Sequence, residues 1–386
     1  MGAETMTRAE RLAAALAFEK PDRVPVVPQV SNAAGANYCG VSQARVEDHE
    51  VGLQCLLKTF DDVGGWDGLY TDCPDTSLMQ HVLWHGVPMR YKVPGVDLPE
   101  DAVMQVLEEE VMTLADYDRV IAEGFWKFYF DDYIYRIASF ERGTIPEIMK
   151  SLTDFYTERC IPEWESRDVA VFAGGGGVHP FFLLSLTRSF TKFTEDLYYR
   201  PEIVEKALRS LTDEWIANAL ANIKQTGYKA VFIVEERASG FYYPLSVFER
   251  FWWPFTREFV DAMWSEGVVT WMHLDTDWGK NLPYFKRDLS RGSYLLQLDS
   301  TTDIFAAKEL LRGHAMLYGD VPASLQSLGS VEDVENYCKK LIDEVGYEGG
   351  YILGAGCEVP PDCKPENLRA MVQTGKTYEL SRKSRC

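Results

Sequence analysis

Eight short apolar runs recur along the 386-residue chain, most of them separated by stretches of helical periodicity. The runs are 24–30, 68–73, 169–174, 230–234, 268–273, 294–298, 316–319 and 351–355. Between the later ones lie amphipathic stretches at 201–225, 244–264, 301–312 and 330–345. Strands that alternate with helices argue for a parallel sheet. Eight of them in this order fit a closed (β/α)8 TIM barrel better than an open doubly wound sheet. Two regions exceed a minimal barrel. Thr7 is placed to cap an N-terminal helix over 8–18, with Glu10 three residues on as in a capping box, and Pro21 stops it. An insertion, 74–168, rich in acids and aromatics, separates strands 2 and 3. No Ser/Gly linker or short repeat breaks the chain, so residues 1–386 are expected to form one barrel domain.

The formal net charge of −20 narrows the partners. An acidic surface repels phosphate backbones and anionic lipid, which argues against nucleic acid and against a membrane surface. Eight cysteines at irregular spacings form no disulfide framework, and no CxxC pair occurs. The amino terminus is charged and lacks an apolar signal core. No uncharged apolar run approaches membrane-spanning length. The expectation is a reduced, cytoplasmic protein, with a homodimer as one candidate assembly.

Chemistry is expected at the ends of the strands. His273 and Asp275 follow the run at 268–273, and side chains at i and i+2 of a strand share a face. Cys357 follows the last run. A thiolate from that strand would complete a three-ligand site with one open position. The ligands together carry a charge of −2, suited to Zn2+, and borderline zinc accepts nitrogen, oxygen and sulfur. The bland alternative is a hydrogen-bonded histidine, a loop aspartate and a small buried cysteine. Glu235 and Glu236 end the fourth run. One must face the barrel mouth as a candidate general base, ligand or substrate partner, and the other must turn outward. Asp72 ends the second run and is a further candidate catalytic carboxylate. Asp299 and Asp320, at later strand ends, read rather as structural caps. Gln29, Asn32, Gly175, His179 and Tyr242 are candidate substrate contacts. Gly175 belongs to a four-glycine run at 174–177 that is neither a P-loop nor GxGxxG, and reads first as a tight turn. His81 and His85 have i, i+4 spacing without an HExxH glutamate, and read as surface or supporting residues.

Several stretches together resemble the uroporphyrinogen decarboxylase superfamily. They are Thr-Arg-Ala-Glu-Arg-Leu-Ala-Ala-Ala-Leu (7–16) with Pro-Asp-Arg-Val-Pro-Val (21–26), the segment Gly319-Asp320-Val321-Pro322, and Gly356-Cys357-Glu358-Val359-Pro360 with the helix start at 364–368. The resemblance implies a (β/α)8 barrel. It holds two chemistries. The decarboxylases bind a tetrapyrrole bearing many carboxylates through an Arg-rich segment after the first strand. Here no Lys or Arg occurs between Arg23 and Arg45, so a polyanion would find no counter-charge. The corrinoid-linked methyltransferases are similar in carrying zinc on a His-x-Cys strand and a final Cys. His273 and Cys357 match that pattern, and Asp275 stands where the branch has its first Cys. The implied activity is a zinc-dependent methyltransferase, an O-demethylase component. It would move a methyl group between a small O-methylated substrate, such as an aryl methyl ether, and the cobalt of a corrinoid on a partner protein. A decarboxylase acting on a less anionic acid without metal, with Asp72 as its anchor, and a non-catalytic tetrapyrrole-binding barrel remain open alternatives.

Overall fold

The structure, a computed structural model, describes residues 4–69, 77–84 and 86–379; Asp72 and His85 lie outside them. Its strands, in chain order, are β1 (Gly68–Leu69), β2 (Arg90–Lys92), β3 (Gln105–Leu107), β4 (Ala170–Val171), β5 (Gly177–Val178), β6 (Ala230–Glu235), β7 (Val269–Leu274), β8 (Tyr294–Leu298), β9 (Met316–Val321) and β10 (Tyr351–Ala355). β5 to β10 pair successively in parallel, and β1 pairs in parallel with β4.

Backbone hydrogen bonds close the ring. Val27 N–H donates to the Leu353 carbonyl and Leu353 N–H to that of Pro25, each at 2.9 Å, so the stretch around Val26 is the first stave, beside the last. On its other side Asp67 N–H donates to the Val26 carbonyl at 2.8 Å. Ala173 bridges Ala230 and carries the ring across to β6. The expected TIM barrel is the observed one, and helices Pro201–Thr226, Trp253–Ser265, Ile304–Leu311 and Val331–Glu344 fall on the amphipathic stretches.

The third stave departs from expectation. The run 169–174 does not continue as one strand but breaks between β4 and β5, where the four glycines lie. A Cβ on Gly176 would sit 2.0 Å from the Phe232 carbonyl oxygen, and Gly175 and Gly177 adopt φ of +69° and +75°. Only glycine allows that approach and those angles together. The glycines therefore form a close contact between staves, beyond the simple turn their sequence suggests.

Alternation along the strands separates two layers. Trp271 points into the barrel, stacked on Phe172 with ring centroids 5.0 Å apart, edge-on to Tyr318, and donating to Gln297 at 3.2 Å. His273 lies two residues on, one layer nearer the carboxyl ends of the strands. Met272 and Leu274 face the helices instead. In β6, Ala230 and Phe232 belong to the inner set, and Val231 and Ile233 to the outer.

The N-terminal helix, Arg8–Leu16, has the Thr7/Glu10 capping box. It ends two residues before the expected Phe18, which takes a left-handed φ of 58°. Leu12 and Ala15 pack with the barrel-interior cluster. On the same helix Arg11 is buried and ion-paired to Asp67 at 2.8 Å. The inserted region folds as a β2–β3 hairpin and a series of helices that includes Asp116–Glu123 and Ile145–Phe155. Arg237 fastens the hairpin to the barrel through Glu108 at 2.7 Å, and Arg188 pairs with Glu110 at 2.5 Å.

Asp320, in β9, is buried and accepts a hydrogen bond from Tyr337 at 2.8 Å. Burial, aided by the charges of Asp303 and Asp299, pushes its carboxyl up to about 7, against the Tyr337 bond. The folded chain thus holds a proton that the unfolded chain releases near pH 4. Stability falls as pH rises between those values, and the cost is fully present above the upper one. Asn at this position keeps the Tyr337 acceptor and removes the charge. Asp320→Asn is expected to stabilise the protein more at pH 8 than at pH 5, by about 2.5 kcal/mol from the linkage arithmetic. Chemical denaturation at the two pH values measures it, and an equal effect at both would contradict the assignment.

Candidate metal centre

His273 is the penultimate residue of β7, and the chain turns after Leu274 so that Asp275 still reaches the barrel mouth. Cys357 arrives from beyond β10 through the turn after Ala355. The three meet. His273 Nε2 lies 3.2 Å from Asp275 Oδ2 and 3.4 Å from Cys357 Sγ. One donor atom from each of the three lies within 4.8 Å of the other two. His273 is buried, while Asp275 and Cys357 are half-buried toward the cavity.

The electrostatics suit a cation. Burial disfavours a charged imidazole at position 273, yet the Asp275 carboxylate and Cys357 sulfur hold its pKa well above the usual value. Burial raises the Cys357 thiol, and His273 opposes that rise. A carboxylate and a sulfur converging on one Nε2 describe a place a divalent ion would fit, and nitrogen, oxygen and sulfur are all zinc ligands.

The triad opens on a cavity of about 1130 Å3, beyond the ~300–1,000 Å3 usual for small-molecule pockets. Gln29 and Gly175 line it, as does Glu236. The alternation of β6 explains the choice between the paired glutamates. Glu236 continues the inner set, and burial with the nearby charge of Asp275 pushes its carboxyl up to about 7. Glu235 points outward, fully buried among the helices. It accepts the Trp252 indole N–H at 2.8 Å and the backbone N–H groups of Arg237 and Ala238 at 2.8 and 3.2 Å. Its place is to hold the turn that carries Glu236 and Arg237.

Three other candidates are placed away from the cavity lining. His179 is fully buried at a helix start, where Nδ1 accepts the Phe181 N–H and Nε2 meets Thr256 Oγ1 at 2.9 Å. Asn32 is buried against Gly52 of the helix His49–Val63. Tyr242 packs on Phe190 at the surface, 43% exposed. In each case a residue near a strand end or in an adjoining loop was drawn into helix packing or left outside the rim. Asp299 caps the loop after β8 by accepting from Thr276 and Thr301 N–H groups. The cavity also contains residues that sequence reasoning did not single out. Arg237 stands next to Glu236, and Tyr91, Met89, Val106 and Trp126 come from the inserted region. His81 lines the cavity too, its ring 5.5 Å from that of Tyr91. The alternation Arg90-Tyr91-Lys92 was the available signal for Tyr91.

A barrel whose mouth joins donors from its fifth and eighth staves defines an α/β-barrel protein with a candidate metal centre. The Uroporphyrinogen decarboxylase (URO-D) family matches residues 137–378, and the chain belongs to that family. Among curated proteins it is similar to the methylcobamide:CoM methyltransferase MtbA of Methanosarcina mazei. The two are 26% identical over 241 residues, 62% of this chain and 66% of that protein. The MtbA of Methanosarcina acetivorans is 26% identical over 48% of this chain and 52% of its own length. The matched stretch thus spans less than two thirds of either relative. A uroporphyrinogen decarboxylase from Danio rerio is also 26% identical, over 54% of this chain and 53% of its own length. Among solved structures, a methyltransferase from Methanosarcina mazei superposes with a TM-score of 0.69 at 18% identity, covering 96% of this chain and 98% of the other. That likeness extends the fold assignment to the residues outside the family match. No helix among the described residues is long and apolar enough to cross a membrane.

Proposed function

We propose that the protein is a zinc-dependent methyltransferase that moves a methyl group between a small O-methylated molecule, such as an aryl methyl ether, and the cobalt of a corrinoid carried by a partner protein. The observation that carries this reading is the convergence of His273, Asp275 and Cys357 at the barrel mouth. These three would hold the zinc, which when bound supplies a Lewis acid for the oxygen that loses its methyl group. Asp275 stands where the methyltransferase branch has a thiolate. The substitution makes the donor set harder, which suits an oxygen ligand better than the thiol named in the relatives' activity. Glu236, whose carboxyl burial and Asp275 hold above the usual range, would exchange a proton with the departing oxygen. Arg237 and Glu235 keep that carboxyl in position. The cavity exceeds what a small ether needs, and the surplus is consistent with a second, bulky reactant approaching from outside.

Purified protein is expected to contain one zinc ion per chain. Methyl transfer from 2-methoxyphenol to free cob(I)alamin should disappear on chelation and return when zinc is restored. Full turnover by zinc-free protein would refute the reading. Carbon dioxide release from a carboxylated substrate without metal would favour the decarboxylase alternative.

A further inference from the structure

The hairpin of the inserted region brings one group to the cavity that the reading above leaves unused. Tyr91 lies in the middle of β2, opposite Val106 of β3. Its neighbours Arg90 and Lys92 point outward, and the phenol side turns toward the barrel. The ring packs against the cluster of Met89, Phe182 and Leu186, which Val178 of β5 and Val234 of β6 also join. His81 borders it on another side. A ring held on several sides presents its hydroxyl in a fixed direction. Among the described residues that hydroxyl has no hydrogen-bond partner. Burial, with the Glu236 carboxylate nearby, pushes the phenol well above its ordinary range, so it stays a neutral O–H donor. A hydroxyl on the cavity wall that donates to no group among the described residues is free to donate to a bound molecule.

The acceptor's chemistry follows from the other walls. Glu47, Glu236, Asp275 and Glu358 line the same cavity. Against them stand Arg237, which Glu108 already pairs, and His273, which Asp275 and Cys357 already hold. An anionic substituent would meet repulsion there. A neutral oxygen would not, and the aromatic faces of Trp126, Phe182 and Phe232 suit a planar ring. We infer that Tyr91 is a substrate-binding residue, and that the substrate is a neutral aryl methyl ether bearing a second oxygen substituent, to which the Tyr91 hydroxyl donates.

The inference rests on the methyltransferase reading and can fail separately from it. Zinc-loaded protein is titrated calorimetrically with 2-methoxyphenol and with methoxybenzene, which lacks the second oxygen. The wild type is expected to bind 2-methoxyphenol at least 10-fold more tightly, roughly what one lost buried hydrogen bond is worth. Tyr91→Phe, which keeps the ring and its packing, should erase most of that preference and leave methoxybenzene affinity and zinc content unchanged. A preference that persists in Tyr91→Phe overturns the inference and spares the methyltransferase reading. Equal affinity of the wild type for both probes also overturns it. Failure of the wild type to bind either probe overturns both.

Discussion

His273→Ala protein is expected to emerge from purification without stoichiometric zinc and with methyl transfer reduced by about 1,000-fold or more, the equivalent of roughly 4 kcal/mol of barrel-mouth assistance to the reacting oxygen. The size of the effect follows from the site's geometry. His273 Nε2 is the atom that both other donors approach, at 3.2 and 3.4 Å. Removing it leaves a carboxylate and a sulfur from different staves with no common neighbour. The fold should survive, because the layer beneath, Trp271 with Phe172, Tyr318 and Gln297, is untouched. Elemental analysis, a cob(I)alamin methylation assay and circular dichroism on the same preparation measure the three quantities. Cys357→Ser should lose metal in the same way, since an alcohol is a poor zinc ligand beside a thiolate. Retained zinc with undiminished turnover in both variants would mean that the chemistry resides elsewhere.

Asp67→Ala is the change expected to damage stability most, by about 3–5 kcal/mol. Asp67 is fully buried. Arg11 reaches it at 2.8 Å and Arg23 at 2.7 and 2.9 Å, and Val26 N–H donates to it at 2.7 Å. Two guanidinium groups and a backbone donor of the first stave thus share one carboxylate. Alanine would remove the one buried carboxylate that both cations share, leaving Arg11 on Asp22 and Arg23 on Glu4 nearer the surface, and would leave the donor without an acceptor. A loss of this size is a large part of the ~5–15 kcal/mol that holds a typical domain together. Urea denaturation is the direct measure, and a loss under about 1 kcal/mol would show that water replaces the carboxylate readily. Asp67 stands outside the metal centre, so zinc content in the surviving folded fraction should be normal.

The barrel was legible in the sequence because buried parallel strands are written as compact apolar runs, and β6 to β10 coincide with theirs. The third stave was less so. Glycines 174–177 carry no side-chain pattern, and their role depends on Phe232 in a neighbouring strand. The His273–Asp275 pairing followed from a period of two, whereas its proximity to Cys357 required the ring to close. The same period explains why Glu236 and not Glu235 lines the cavity, although sequence could not say which strand face was inner. His179 and Asn32 looked like ligand contacts because they lie near strand ends. Their partners, Thr256 for His179 and the following helix with Gly52 for Asn32, are fixed by helix packing that strand-end position does not reveal. Tyr91 escaped notice because the alternation Arg90-Tyr91-Lys92 spans only three residues, too few to mark a strand on their own.

The joining of the last stave to the first gives the site a temporal property. Cys357 stands 84 residues beyond His273, and β10 is held in place by the stretch around Val26, which precedes every other stave in the chain. A nascent polypeptide cut short of position 357 carries only two of the three donors, however well its earlier portions have folded. Possession of the full donor set therefore requires circular closure of the barrel.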